Sequence, residues 1–534
     1  MEEYNMNVNL LAAFVRSASF EIENEYAYSS GEKYSVFIDG RHVSDTDTNV
    51  FSVYDLEPDT EYTLELKSED ESNVLDTVTF STEPETVLLD VKLFGASGDG
   101  VTNDTAALQA AVACCPEGGT VRFRKGTYLT APIFLKSGIT VLLEEGAKLL
   151  GLSDRRAYPV LPGMTRFTGS STEELNLASW EGNPLDAFAA LITGIQCENV
   201  NIIGKGVIDG NAENGDWWQD VKKKRVAWRP RTVFFNHCRN ITVQGVKIQN
   251  SPSWTVHPYY TDGVKLIDID IYNPDDSPNT DGIDPESCTD VQILGVRISV
   301  GDDCIAIKSG KIYMGKFHTK RTEGVTIRNC RFERGHGSVT IGSEVACGIT
   351  DVHVTKCCFI GTDRGLRIKT RRGRGERAVI DKLSFEHIKM DGVLMPFTVN
   401  MFYFCDPDGH SDYVQSQEAL PVDERTPYIG SISIKDIDAT GVSAVFACIY
   451  GLPERPVGEI TIEDVRASYL PAEEREDLCP IMMDNFMTMN GRSVYIKNAD
   501  YIKIKDVVLS GSADSEAELI NVSRSDLSGL VLKA

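Results

Sequence analysis

The chain has 534 residues, of which 42% are hydrophobic and 25% charged. These are ordinary values for a folded globular protein, and they exclude wholesale disorder, a collagen-like repeat and a membrane bundle. Fifty-three lysines and arginines against 79 acids give a net charge of −26, which excludes general nucleic-acid binding because that needs a basic footprint. No run approaches about 18 consecutive apolar residues, so no membrane-spanning helix is predicted.

Met1–Leu10 lacks a basic stretch followed by an apolar one, so no export signal is read. The 13 cysteines are then expected as free thiols in a cytoplasmic protein; a chain trimmed of its leader would be secreted or periplasmic. Short β-rich runs separated by turn signals follow at Ala18–Ile22, Tyr34–Ile38, Val50–Tyr54, Glu61–Leu66 and Asp76–Phe80. That spacing predicts a small β-sandwich. Leu56-Glu57-Pro58-Asp59-Thr60-Glu61-Tyr62 resembles the turn of fibronectin type III domains in which a tyrosine hydroxyl bonds back to the backbone. Ser81–Glu85 reads as a linker, dividing the chain into a sandwich over 1–86 and a second unit over 87–534. In that unit Asn103 or Asp104 caps a predicted helix, Thr105–Cys115, with Leu108, Val112 and Cys115 on one face.

From about residue 198 apolar residues recur at x, x+2, x+5 and x+7, where x is the first apolar residue of a coil. Coils start at Ile241, Val264, Val291, Val325, Val352 and Leu383, with fainter copies at Ile432, Ile460 and Ile502. Repeats of this length mean a solenoid. The local period of two makes its unit a strand. The fold class is therefore all-β: a right-handed parallel β-helix, its hand taken from the general crossover rule, with the helix covering one open end. Cys330 and Cys357 fall at x+5 and are expected in the core. The vicinal pairs Cys114-Cys115 and Cys357-Cys358 lack zinc-site spacing, so no metal is predicted.

The polar residues between the repeat strands fall at matching phase. Asp302 and Asp303 lie eleven and twelve residues after Val291, and His336 lies eleven after Val325. Arg367 and Lys369 follow one coil later, and Asn279-Thr280-Asp281 one coil earlier. Equal phase on stacked coils about 4.8 Å apart predicts one groove. Crowded carboxylates push one pKa up, leaving an acid beside ionised bases, which is what glycoside hydrolysis uses. A cation pair two residues apart on an extended segment suits a sugar carboxylate. From Cys304 to Arg377 the net charge is +10, sixteen basic residues against six acids, which is compatible with an anionic ligand or a solvated face.

Asn279-Thr280-Asp281, Gly301-Asp302-Asp303, Gly335-His336-Gly337 and Arg367-Ile368-Lys369, in this order, resemble the four signatures of glycoside hydrolase family 28, the polygalacturonases. The resemblance implies inverting hydrolysis of α-1,4-linked galacturonate without cofactor or metal. It implies Asp302 as general acid, Asp281 and Asp303 as the carboxylates that position and deprotonate water, and His336 as the residue tuning the acid. It also implies Arg367 and Lys369 as the holders of the galacturonate carboxylate, and a downstream tyrosine, for which Tyr403 is the candidate. Asn279 from the first signature, Trp254 and His257 one coil earlier, and Arg371 in the extended cation cluster are further candidates for substrate contact. Exo action from the non-reducing end is expected from those extra cations, from Gly342-Ser343-Glu344, from the sandwich and from the Asp406–Pro427 segment. The alternatives are endo-polygalacturonase or rhamnogalacturonan or xylogalacturonan hydrolase within the family. Outside it stand a Ca²⁺-dependent pectate lyase and a non-catalytic β-helix that binds carbohydrate.

Overall fold

The step from x+2 to x+5 has a backbone cause. The residue at x+4 is Gly245, Asp268, Gly295, Asn329, Lys356, His387, Asp436, Asp464 or Asp506 in the nine coils, and each is left-handed, with φ between 51 and 77°. One residue of this kind turns the chain from one short strand into the next. Glycine, asparagine and aspartate tolerate it best. The computed structural model, which describes residues 7–166 and 174–533, aligns the nine coil starts rung upon rung in parallel register, from Ile241↔Val264 through Val352↔Leu383 to Ile460↔Ile502. The chain is a parallel β-helix.

Each coil holds more than the two strands read from the repeat. A third parallel ladder runs through Val233–Asn236, Val256–Tyr259, Asp303–Ile307, Gly337–Gly342, Arg364–Lys369, Met395–Asn400 and Val445–Tyr450. Its inward residues, among them Ile305, Val339, Leu366 and Phe397, join the other two ladders in one continuous core. Cys330 and Cys357 are fully buried in that core, stacked among isoleucines and phenylalanines. The cysteines are unpaired. The helix Thr105–Cys114 covers the N-terminal end, inserting Leu108, Ala111 and Val112. Its cap differs from the simple expectation: Asp104 accepts the backbone N–H groups of Ser97 and Gly98, and Asn103 accepts that of Thr105. Among the described residues no helix is long and apolar enough to cross a membrane.

The N-terminal sandwich has a three-stranded sheet (Asn7–Ala13, Ala18–Glu23, Val50–Val53) facing a four-stranded one (Arg41–Thr48, Ser29–Ile38, Glu61–Ser68, Val74–Ser81). Asn7–Ala13 and Arg41–Thr48 were not predicted, because these edge strands bury only one residue each and carry no regular alternation of buried apolar and exposed polar positions. The Tyr62 hydroxyl accepts the Glu57 backbone N–H at 2.8 Å. The sandwich docks along the left-handed corners. Glu21 takes Arg328 through two 2.7 Å bonds and Asn329 through a third, a bidentate geometry that orients the two units. Val50 comes so close to Gly295 that a Cβ there would lie 2.5 Å from it, so glycine serves both the turn and the docking.

Candidate active site

The site forms where the third ladder begins. Gly282 N–H donates to Asp303 O at 3.0 Å, and His336 N–H to Asp302 O at 3.0 Å. Adjacent rungs therefore carry Asp281 beside Asp303 and Asp302 beside His336. Two turns are tied together as well: Thr280 Oγ1, 2.6 Å from Ser277 Oγ, accepts Gly301 N–H at 3.3 Å. One oxygen from each of Asp281, Asp302 and Asp303 lies within 4.8 Å of the others. By distance the trio could hold a metal ion, but three ammonium or guanidinium groups already offset its charge. Lys369 Nζ is 2.7 Å and Arg367 Nη1 3.1 Å from Asp303, and Lys308 Nζ is 3.8 Å from Asp281.

Arg367 and Lys369 alternate with Leu366 and Ile368, which enter the core, so both cations stand on the outer face. Gly337 on the preceding rung leaves room for them: a Cβ there would lie 2.9 Å from Asp303 Oδ1 and 3.5 Å from the Arg367 stem. Burial by itself pushes the fully buried Asp303 carboxyl up, but Lys369 and Arg367 outweigh it and hold the group well below the usual carboxylate range. Asp281 goes the other way, driven up by burial and then by the like charge of Asp302. Asp302 is the solvent-facing member, with a side chain 20% exposed, and it bonds His336 Nδ1 at 3.3 Å, the ring being 54% exposed. That bond raises the His336 pKa. The trio thus contains one carboxylate whose pKa is depressed by two cations, one whose pKa is raised by burial, and one at the surface beside an imidazole.

The remaining predicted residues fall in different places. The Asn279 amide oxygen accepts Arg229 Nη2 at 2.5 Å, and the residue is partly exposed. Tyr403 lies with its ring centroid 5.5 Å from the Lys369 ammonium, at the edge of the cations. His257 does not face an open groove: it is fully buried, with Nε2 3.0 Å from Glu286 Oε2. Trp254, 5% exposed, stacks on Trp180, which in turn stacks on Trp228, with centroids 6.4 and 4.9 Å apart. Both residues are supports behind the site: Trp180, 74 residues earlier in the chain, covers Trp254, and Trp254 in turn packs edge-on against His257 with ring centroids 5.0 Å apart. Arg371 is likewise spoken for, bonding Asp406 at 2.9 Å and Asp408 at 2.6 Å. Arg372 pairs with Glu454, and Arg374 with Asp406. The basic segment past Lys369 is therefore neutralised within the protein, and the Asp406–Pro427 segment supplies two of its counter-ions.

Sequence reasoning missed Lys308, Asp284, Glu286, Glu344 and Met482 as neighbours of the site. Lys308 lies 3.4 Å from both Asp284 and Glu344. The Met482 sulfur accepts Arg367 Nη2 at 3.1 Å, and the Met482 backbone oxygen accepts Asn400 Nδ2 at 3.0 Å. Lys308 and Lys369 had a signal, since continuing the rung register Ile307↔Ile341 and Gly342↔Lys369 puts them in one outward row. Met482 had none, being over a hundred residues from Arg367.

Comparison with known proteins places this geometry. A family model described as glycosyl hydrolases family 28 matches residues 140–476, and one described as rhamnogalacturonase A/epimerase, pectate lyase-like, matches residues 88–176. A probable polygalacturonase of Vitis vinifera is 32% identical over 384 residues, covering 70% of this chain and 72% of that protein. An endo-polygalacturonase of Pectobacterium carotovorum is 30% identical over 312 residues, covering 56% and 72%. The solved family 28 exopolygalacturonase of Yersinia enterocolitica shares the fold with a TM-score of 0.69 at 18% identity, covering 97% of this chain and 98% of that one. By the extent of the family match, the chain belongs to glycosyl hydrolase family 28.

Proposed function

We propose that this enzyme hydrolyses the α-1,4 linkages of polygalacturonate and oligogalacturonides, and that it removes sugar from the non-reducing end. Asp302 donates its proton to the leaving oxygen, while Asp281 and Asp303 orient and deprotonate water. Arg367 and Lys369 hold a galacturonate carboxylate in competition with Asp303, and Tyr403 borders that position. Lys369 and Arg367 keep Asp303 ionised, and of the three carboxyls Asp302 is the one exposed to the leaving oxygen.

The observation that carries exo action is the segment 174–183. It crosses the outer face of the third ladder at Trp254, on the rung before Asp281, where the neighbouring Thr255 N–H donates to Asp281 O at 2.8 Å. The Asn176 backbone oxygen accepts Asn236 Nδ2 at 2.8 Å, the Gly182 oxygen accepts Lys311 N–H at 2.9 Å, and Trp180 is stacked between Trp228 and Trp254. On the far side Pro480–Met482 is pinned by Arg364 and Asn400. A sugar bound beside Asp281 meets the Trp180 wall and is read as the chain end.

The test is a time course on oligogalacturonides labelled at the reducing end. Unlabelled small products with stepwise shortening of the labelled strand support the reading. A ladder of mixed labelled oligomers with an early collapse of polymer viscosity overturns exo action. An unsaturated product that disappears with chelator would indicate lyase chemistry instead. The near oxygens of the trio are closer than the ~6.5–9.5 Å carboxyl spacing of most inverting glycosidases. Inversion is therefore proposed from the family alone, and proton NMR of the first anomer checks it: a β product from the α linkage is expected.

A further inference from the structure

Lys308 is a lysine with a side chain only 4% exposed, and lysine is seldom buried unless paired. It follows the strand Asp303–Ile307 and is bridged to Glu286 on the rung before. Three acids from two rungs meet its ammonium: Asp281 at 3.8 Å and Asp284 at 3.4 Å from the rung before, and Glu344 at 3.4 Å from the rung after. The Trp254 ring closes the fourth side, its centroid 4.5 Å away, an attraction that strengthens when water is excluded. Asp284 is fully buried, and among the described residues its carboxylate accepts no hydrogen bond and has Lys308 as its sole ion-pair partner. Removing the ammonium would leave several acids facing one another in a dry interior.

We propose that Lys308 is a positioning residue: its buried ammonium ties Asp281 to the fixed acids Asp284 and Glu344 and so sets the aim and the charge of Asp281 toward water. The proposal rests on the reading of Asp281 as a water-activating carboxylate. Glu344 is a suitable anchor because Lys308, Lys311 and Arg374 together overcome its burial and hold it near about 2. Asp284 and Glu286 are pushed up by burial, to about 7 and about 8. The titratable groups facing Lys308 are Asp281, Asp284 and Glu286 from the rung before, Asp303 from its own, Glu344 from the rung after, and Glu181 from the crossing segment. His257, buried and pushed well below its ordinary pKa, brings no fixed charge.

Two substitutions test this. Lys308→Met should lower kcat by ~10²-fold with KM changed by less than about threefold, because a misaimed group costs turnover more than binding. It should also move the acid limb of the kcat–pH profile upward by roughly one unit, since an opposite charge that favoured ionised Asp281 is lost. Lys308→Arg, which keeps the charge, should return the limb most of the way. Independently of turnover, Asp281→Asn should raise Tm more in the Lys308→Met background than in the wild type. An unmoved acid limb, whether or not kcat falls, overturns the proposal while leaving hydrolysis by this site intact. If the wild type fails to hydrolyse galacturonan, the functional reading fails first, and strictly additive Tm changes in the Asp281/Lys308 cycle then overturn the tether as well.

Discussion

Asp303→Asn separates the two tasks of the cation pair. Asp303 is fully buried, and its carboxylate bonds Lys369 at 2.7 Å and Arg367 at 3.1 Å, both of which are themselves at least nine-tenths buried. At an effective dielectric of about 20, each contact is worth ~5–6 kcal/mol of gross Coulomb attraction. Desolvation of three charged groups offsets much of that, so breaking the network should cost about 3–5 kcal/mol. The asparagine keeps the shape but leaves both cations without a counter-ion. Thermal unfolding at neutral pH should report the loss as a lower Tm. The sign with pH is fixed: a depressed native pKa stabilises above the unfolded value near about 4 and is lost as pH falls below it. The Tm gap between wild type and Asp303→Asn should therefore shrink in acid. Steady-state kinetics on a short oligogalacturonide should show kcat down by ~10²–10⁴-fold, with KM unchanged or lower because Arg367 and Lys369 no longer answer to Asp303. A KM that rises several-fold with kcat preserved would refute the view that Asp303 competes with the substrate carboxylate and takes part in the chemistry.

Three further outcomes are expected. Asp302→Asn should cut kcat by ~10²–10⁴-fold with an unchanged circular dichroism spectrum, since Asp302 lies at the surface of the site and an asparagine oxygen can still accept the Asp303 N–H that its carboxylate takes at 3.0 Å. Trp180→Ala should lower stability by about 3–5 kcal/mol and, by removing the wall beside Asp281, increase longer oligomers among the products in mass spectrometry. Asp268, at a corner beneath the sandwich, is pushed up to about 7 by burial, with Ser52 pulling the other way. Its neutral form stabilises the docked state fully below about pH 4 and fades as pH rises through about 7, so between about pH 5 and about pH 8 Asp268→Asn should lose less Tm than the wild type.

Comparison of the chain with its fold shows where sequence reasoning stops. The coil starts were legible because every inward residue of the first two ladders meets the same core, and the left-handed x+4 corner keeps their spacing constant. The third ladder also has a spacing, with Ile305/Ile307, Val339/Ile341, Leu366/Ile368 and Phe397/Val399 at x+14 and x+16 of their coils. It was obscured in the other coils, where the loops before it differ in length: Ile283 and Val494 fall at other distances from their coil starts. His257 and Trp254 sit at the right phase for a groove, yet the 174–183 segment stacks on Trp254 and His257 is buried against Glu286, and no periodicity announces a loop that folds back across the solenoid.

The stacked coils, the sandwich, and the placing of Asp281, Asp302, Asp303, His336, Arg367 and Lys369 along one edge were legible in the residue spacing, because in a solenoid distance along the chain maps directly onto height and face. That Asp303 clasps the two cations, that Asp406 and Asp408 neutralise Arg371, and that Lys308 lies 3.8 Å from Asp281 emerges from the folded chain alone. Those contacts join rungs to excursions of the chain, where separation in sequence carries no information about separation in space.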